Sequence, residues 1–550
     1  MGDSDPREAL QRAVGHQQAG RLRDAEALCR QMLARAPDNA EALSTLGIVY
    51  CQLQLRDLGI GFTGRAVQVN PGVASYHHNY AEAWMALGEA DQAIQEYQKA
   101  SALDPTRPEP CAGLGIALHR RGRWAESVAA LRQALDLGMQ QASVYLELAK
   151  SLRRCGQLDD AEAALGRAEA LQPNNAEIWQ VRGEILGQRQ KYAEAVHAFA
   201  RASELAPGYA RPHHGAGVVL ALQGNFPAAA AAMDRALKLD PNYPEANCGA
   251  GAVLLRINRA ADAIPYYERA IMLNPRYLEA RADLALAYEK AGRVKDAAAQ
   301  YEILAGVTTD EEFFRYQRAS LGDGATPTPA TAPPALVARL FDKYVRFFDE
   351  HLTKYLGYRA PQLIFHAVAH VKPNPRLAIL DLGCGTGLCG QLFKPLARRL
   401  VGVDLSPAMI EKAQERGIYD RLLVADLLEI TAAVSETFDL VIAGDVFCYL
   451  GDLTPVFQRV AKMSHPGSLF AFTVEVSDDG DYVLRQTRRY AHAPNYIRQL
   501  APRQGYEVLT LERTALRSEN QRDVEGLVVV LRYRDGAAGN AQLHAGKPAL

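Results

Sequence analysis

From residue 6 to residue 309 the apolar positions recur at helical spacing, as in Leu131, Ala134 and Leu135, and the whole pattern returns every 34 residues. Pro37, Pro71, Pro105, Pro173, Pro207, Pro241 and Pro275 lie on one grid, whose missing interior member is Met139. Counted from Pro6, the eighth position of successive units reads Ala13, Gly47, Ala81, Gly115, Ala149, Gly183, Gly217, Gly251 and Ala285. The twentieth is Ala, Gly or Ser throughout, and the twenty-seventh is Ala from Ala66 to Ala270, with Met32 and Leu304 at the two ends. Small residues at these places let two antiparallel helices approach closely, so each unit predicts a helix hairpin. The proline ends its second helix, because it cannot continue the hydrogen-bond ladder. Atypical end units are what the caps of a stacked array require. The pattern predicts an all-α solenoid over 1–320, with about nine units in 6–309 and a capping helix through EEFFRYQRAS.

The period stops at LGDGATPTPATAPPA (321–335), which is rich in Pro, Gly, Ala and Thr without apolar spacing and predicts an exposed, semi-extended linker. Beyond it, apolar runs alternate with helical stretches: LAIL (377–380), LVGVD, RLLVAD, FDLVIAGD and GSLFAFTVE. Such alternation predicts a mainly parallel, doubly wound sheet over 336–535. YEVLTLERTAL and GLVVVLR, joined by a short connection, predict a final antiparallel hairpin, and 536–550 reads as a flexible tail.

The first region resembles tetratricopeptide repeats in period, small positions and closing proline. The resemblance implies a concave groove that binds a protein or peptide partner; rigidifying or oligomerising the chain is the plainer alternative. The groove of O-linked N-acetylglucosamine transferases carries an Asn ladder, but here the sixth position reads Thr45, Asn79, Gly113, Glu147, Val181, Gly215, Gly249 and Asp283, so that peptide clamp is not expected. His77-His78 and His213-His214 share one repeat offset, but without Cys or carboxylate companions at ligand spacing they read as packed or solvated histidines, not a metal site.

Composition narrows the classes further. With 550 residues, Lys+Arg 61 against Asp+Glu 63 and 48% hydrophobic residues, the chain has the size of several domains and lacks the basic excess of a dedicated nucleic-acid binder. No apolar run is long enough to span a membrane, and Pro6 stands where a myristoylation signal needs Ser or Thr. Eight dispersed cysteines without a CxxC pair fit free thiols in the cytoplasm.

The chemistry concentrates in Asp381-Leu-Gly383-Cys384-Gly385-Thr-Gly387, at the end of the first strand run. Glycines let a backbone approach a ligand, and the spacing is GxGxG, with Leu388 where a dinucleotide fold would carry its third glycine. The helix from 388 onward would present its positive end to a carboxylate. Asp404, ending RLVGVD, can accept both hydroxyls of a ribose; Asp426 ends RLLVAD, and Gly444-Asp445 follows FDLVIA. Four successive strand ends thus bring Gly or Asp to the carboxyl edge, where open α/β sheets bind ligands.

This ordered set resembles the Rossmann-like class I S-adenosylmethionine-dependent methyltransferases. Through that family, the glycine turn faces the methionine part of S-adenosyl-L-methionine, Asp404 holds the ribose, Asp426 contacts the adenine amine, and Gly444-Asp445 flanks the methyl-transfer site. Asp381, Cys384, Leu405 and Leu427 complete the implied cofactor set. The lead-in LFDKYVRFFDEHLTKYLGYRAPQLI is similar to that of small-molecule methyltransferases related to ubiquinone and biotin biosynthesis, and the whole chain resembles methyltransferases carrying amino-terminal tetratricopeptide repeats.

For an acceptor that must lose a proton, His492 in RRYAHAPNY is the candidate base, with Asp445 and Tyr449 as companions; the alternative is that His492 caps a helix or packs on Tyr496. The strand-four loop GDVFCYL lacks the Asn/Asp-Pro-Pro-aromatic run of adenine and glutamine amino-methyltransferases. The expected activity is methyl transfer to a small-molecule or carrier-bound acceptor; the alternative is methylation, or scaffolding, of a protein docked in the groove.

Overall fold

In a computed structural model of the chain, residues 6–322, 326–345, 348–371, 376–519 and 522–534 are described; the expected tail lies outside them. They divide into two compact units between Asn274 and Pro275. Among the described residues no helix is long and apolar enough to cross a membrane.

The first unit is a series of helix hairpins. Helices Leu22–Arg35, Arg56–Val69 and Ala90–Leu103 each stop two residues before Pro37, Pro71 and Pro105. Ala36, Asn70 and Asp104 close them at φ −135, −143 and −142, away from the helical region that a following proline disfavours. Where Met139 replaces the proline, helix Trp124–Asp136 ends instead on Gly138 at φ 96, a left-handed turn that suits glycine. The small eighth position has a steric cause: a Cβ on Gly115 would lie 2.5 Å from Leu131 Cγ, and one on Gly251 2.9 Å from the Tyr267 ring.

The histidine pairs sit in this packing. His77 lies between Glu96 Oε2 (2.6 Å) and the Pro71 carbonyl (2.9 Å), His78 packs on the Tyr97 ring, and His214 Nδ1 is 3.3 Å from Tyr243 Oη. Burial pushes the His78 and His214 pKa values down.

The second unit opens with the last hairpin, Leu278–Lys290 and Val294–Val307, and the helix Glu311–Ser320. Part of the following Pro-rich stretch is docked, where exposure was expected. Ala332 donates its N–H to the Tyr449 carbonyl at 2.9 Å, the Ala330 carbonyl accepts from Gly451 N at 2.8 Å, and Ala332 is buried. Proline keeps this backbone extended, and an extended backbone can pair with a loop that has unused N–H and C=O groups.

The sheet holds β1 (Leu377–Leu382), β2 (Ala397–Asp404), β3 (Arg421–Val424), β4 (Phe438–Ala443), β5 (Ser464–Val476), β6 (Tyr482–Leu484), β7 (Tyr490–His492), β8 (Tyr506–Glu519) and β9 (Arg522–Tyr533). Strands β3-β2-β1-β4-β5 run parallel in that order, β9 pairs antiparallel with β5 and with β8, and β7 pairs with the tip of β5. Alternate residues enter different cores: Leu380, Val401, Val441 and Phe472 on one face, Ile379, Leu400, Leu440 and Ile442 on the other. Burial on both faces is why these strands read as unbroken apolar runs. Strand order reverses between β1 and β4, which opens a crevice at their carboxyl ends.

Candidate active site

The turn after β1 is left-handed at Gly383 (φ 63), Gly385 (φ 53) and Gly387 (φ 94), torsions that L side chains rarely adopt. At Gly383 a Cβ would also strike Val446, 2.5 Å away. Asp404, at the end of β2, locks this turn: its Oδ2 accepts the Gly385 N–H at 2.8 Å and its Oδ1 the Ser406 N–H at 2.9 Å. Burial raises the Asp404 pKa while these backbone donors oppose the shift. Asp426 accepts the Leu428 N–H at 2.8 Å. The two aspartates and the glycine turn border one cavity of about 390 Å³. Carboxylates with spare lone pairs beside a Cβ-free turn suit a ligand bearing hydroxyl and amino donors, such as a nucleoside.

The opposite wall comes from the lead-in and the loops after β4 and β6. Helix Pro334–Tyr344, the short turn of helix Phe348–Glu350 and a π-helical turn, His351–Tyr355, lay Phe341, Tyr344, Phe348 and His351 along the cavity. Phe341 meets Tyr449 edge-on at 5.6 Å. The lead-in is strapped to the glycine-turn side: Ser406 Oγ donates to Asp342 Oδ1 at 2.6 Å, and the Asp349 carboxylate holds both Thr386 and Arg416.

Behind this wall lies a buried ion cluster. Arg517, 2% exposed, contacts Asp445 (3.2 Å), Glu475 (2.5 Å) and Glu519 (2.6 Å). Arg489, which borders the cavity, donates from Nη2 to Asp445 Oδ2 at 2.8 Å and lies over the Tyr449 ring, 5.6 Å from its centroid. Its Nε lies 2.9 Å from Glu475 Oε1 without hydrogen-bond alignment. Asp445 itself has φ 58 and is pinned by its N–H to Thr473 Oγ1 at 2.9 Å, a strained placement of the kind that gathers at functional sites.

Family models match in both regions: the cilia and flagella-associated protein 70 C-terminal domain over 1–216, tetratricopeptide repeats over 210–235 and 254–317, and a methyltransferase domain over 380–470. The chain joins tetratricopeptide repeats to a methyltransferase domain.

Methyltransferase-like protein 27 of Homo sapiens is 37% identical over 115 residues, 20% of this chain and 46% of that protein. Malonyl-[acyl-carrier protein] O-methyltransferase of Yersinia pestis is 23% identical over 159 residues, 28% of this chain and 56% of the relative. The mitochondrial ubiquinone biosynthesis O-methyltransferase of Homo sapiens is 34% identical over 111 residues, 19% and 30%. The chain thus spans about half the length of these relatives, or less. Among solved structures, the APC/C hetero-tetramer Cut9-Hcn1 is 17% identical with a TM-score of 0.39, covering 48% of this chain and 52% of that one.

In the methyltransferase domain the cavity brings together Gly383, Cys384, Gly385, Asp404, Leu405, Asp426, Leu427, Gly444, Asp445 and Tyr449. Asp381, Gly387 and His492 do not border it. Asp381 lies beneath the turn, buried, with Tyr419 Oη donating to its Oδ2 at 2.6 Å; burial lifts its pKa to about 7, against hydrogen bonds from Tyr419 and the Gly390 backbone. The helix after the turn, Leu388–Phe393, is six residues, so the dipole expected of it is small.

His492 ends β7, fully buried, with Nε2 donating to the Gly451 carbonyl at 3.0 Å and its ring stacked on Tyr496 at 6.0 Å. Burial lowers its pKa to about 4, which keeps it neutral. Arg489, Arg517, Glu475, Phe341 and His351 were missed by motif reading. The readable signals are an acid closing the apolar run GSLFAFTVE and an Arg pair shortly before His492.

Proposed function

We propose that this chain is an S-adenosyl-L-methionine-dependent methyltransferase acting on a small-molecule or carrier-bound oxygen acceptor, with the repeats recruiting a protein partner. The observation that carries this reading is the convergence of the glycine turn, Asp404, Asp426 and Gly444-Asp445 on one cavity. On this reading Asp404 accepts the ribose hydroxyls, Asp426 the adenine amine, and the glycine turn lies against the methionine part. Bound S-adenosyl-L-methionine supplies a methyl group on a sulfonium, already activated for displacement. The chain's own task is then to align an acceptor and exclude water, which proximity makes worth up to about 7–11 kcal/mol.

The aromatic wall of Phe341, Phe348 and Tyr449 keeps that volume dry. Asp445 is ion-paired to both Arg489 and Arg517, and the Arg489 guanidinium, which borders the cavity, offers a cation to an anionic oxygen. A carboxylate acceptor fits this arrangement because it needs no base, and the resemblance to relatives named as O-methyltransferases supports it. His492 is assigned a structural role. For recruitment, the repeats offer a cavity of about 800 Å³ whose lining includes Gln180, Tyr209, Arg211 and Tyr243, with Val218 39% and Leu222 63% exposed. Free cysteines throughout fit work in a reducing cytoplasm.

The test is incubation of the full chain with methyl-labelled S-adenosyl-L-methionine and a fractionated cell extract. Base-labile label in the small-molecule or carrier-protein fraction supports the reading. Label on other proteins favours methylation of a docked protein, and absence of both label and cofactor binding overturns the activity.

A further inference from the structure

The turn joining β6 to β7 carries two adjacent arginines that point to opposite sides. Arg489 reaches the cavity, while Arg488 reaches the helices that open the second unit. Arg488 Nη2 donates to Glu289 Oε2 at 3.0 Å and lies 3.3 Å from Oε1; its Nε donates to Gln317. Tyr316 Oη donates to the Arg488 carbonyl at 2.7 Å, so side chain and backbone are both held. Glu289 belongs to the last repeat, and Tyr316 and Gln317 to the helix after it; Tyr316 and Gln317 are buried, and Glu289 also accepts from Tyr301 Oη at 3.1 Å.

Arg488 has φ 61, a left-handed conformation costly for a side chain with a Cβ. The turn closes on itself through Arg488 N to the Arg485 carbonyl (2.8 Å) and Arg485 N to the Arg489 carbonyl (3.0 Å). On its other flank Tyr490 Oη donates to the Pro329 carbonyl at 2.8 Å. A strained residue persists where its surroundings over-determine it, and the surroundings here are the last repeat.

We propose that Arg488 is a positioning residue for the acceptor side of the cavity: by tying the 485–489 turn to Glu289, Tyr316 and Gln317, it holds the Arg489 guanidinium against Asp445 and Tyr449. The last repeat is thereby a working part of the methyltransferase domain. This rests on the reading that Gly444-Asp445 borders the transferred methyl. If Arg489 is released, Asp445 keeps Arg517 as its cation but gains a free lone pair toward the cavity, and a ligand ammonium at the methyl position should bind better.

The probes are S-adenosylhomocysteine, which has no positive centre there, and sinefungin, which carries an ammonium in place of the sulfonium methyl. Titrations use the full chain as wild type, Arg488→Ala, Arg488→Lys and Glu289→Gln, with melting temperatures measured alongside. The proposal expects S-adenosylhomocysteine affinity to stay within about twofold in every variant. It expects preference for sinefungin to rise at least about fivefold in Arg488→Ala and to a smaller extent in Glu289→Gln, with Arg488→Lys returning toward wild type by restoring the charge pair. Glu289→Gln lies off the turn and keeps the test available should Arg488→Ala unfold. An unchanged preference in a folded variant overturns the proposal, and so does an equal loss of both ligands. Failure of the wild type to bind S-adenosylhomocysteine would instead overturn the assignment of the cavity itself.

Discussion

The two sides of the cavity are built in different ways. The side proposed for the cofactor comes from consecutive strand ends, with Gly383, Asp404, Asp426 and Gly444 at or just beyond the carboxyl ends of β1 to β4, and its polar groups are tied by backbone donors such as Gly385 N–H. The side proposed for the acceptor is assembled from residues as distant as Phe341, Asp445, Glu475, Arg489 and Arg517, and its polar groups are tied to one another as ions. Backbone ties form with the fold itself, whereas ion ties need every partner present. The acceptor side should therefore be the more fragile to single substitutions, and the cofactor side the more local in its response.

The largest expected effect tests that fragility. Arg517→Ala strands Glu475, 3% exposed, with fewer cations, and should cost about 3–5 kcal/mol of stability in chemical denaturation. A cost below about 1 kcal/mol would mean that the cluster is wet and weakly coupled.

Next comes His492, whose folded pKa of about 4 lies below the ordinary 6.5. The unfolded chain binds the proton first, so stability from this group is complete above pH 6.5 and is lost as pH falls toward 4. Wild type should lose up to about 3 kcal/mol relative to His492→Asn across that window, with S-adenosyl-L-methionine affinity at neutral pH unchanged. Parallel pH–stability curves for the two proteins would contradict the buried, neutral assignment.

If Asp404 holds the ribose as proposed, Asp404→Ala should weaken binding of S-adenosyl-L-methionine by about 1.5–3 kcal/mol, because a charged acceptor is removed. The smallest effect is expected from Tyr419→Phe. It removes the donor to Asp381 beneath the turn and should cost about 1 kcal/mol of stability while leaving cofactor affinity within about twofold. A large loss of affinity there would mean that Asp381 acts on the ligand directly.

The same contrast governs what could be read before folding. The repeat hairpins were legible because each proline and each small residue acts on its immediate neighbours, and Gly138 filling in for the missing proline is a local substitution of one helix stop for another. The glycine turn and the following aspartates were legible because strand order along the chain carries them to one edge. Arg489 and Arg517 were not, since their meaning depends on β5, β7 and β8 meeting at Asp445. The RRYAH segment drew attention to His492, but β7 turns that ring into the core, and the residue three earlier reaches the cavity. The Pro-rich stretch shows the same limit: composition gave extension, and only the loop after β4 supplied the partner that docks it.

The cavity beside Asp404 is where cofactor binding is decided. Its most direct test is isothermal titration of the full chain with S-adenosyl-L-methionine. The prediction is one site per chain, weakened about 10- to 150-fold by Asp404→Ala and unmoved by His492→Asn. A folded wild-type chain that gives no saturable binding, or an Asp404→Ala variant that binds as tightly as wild type, would contradict it.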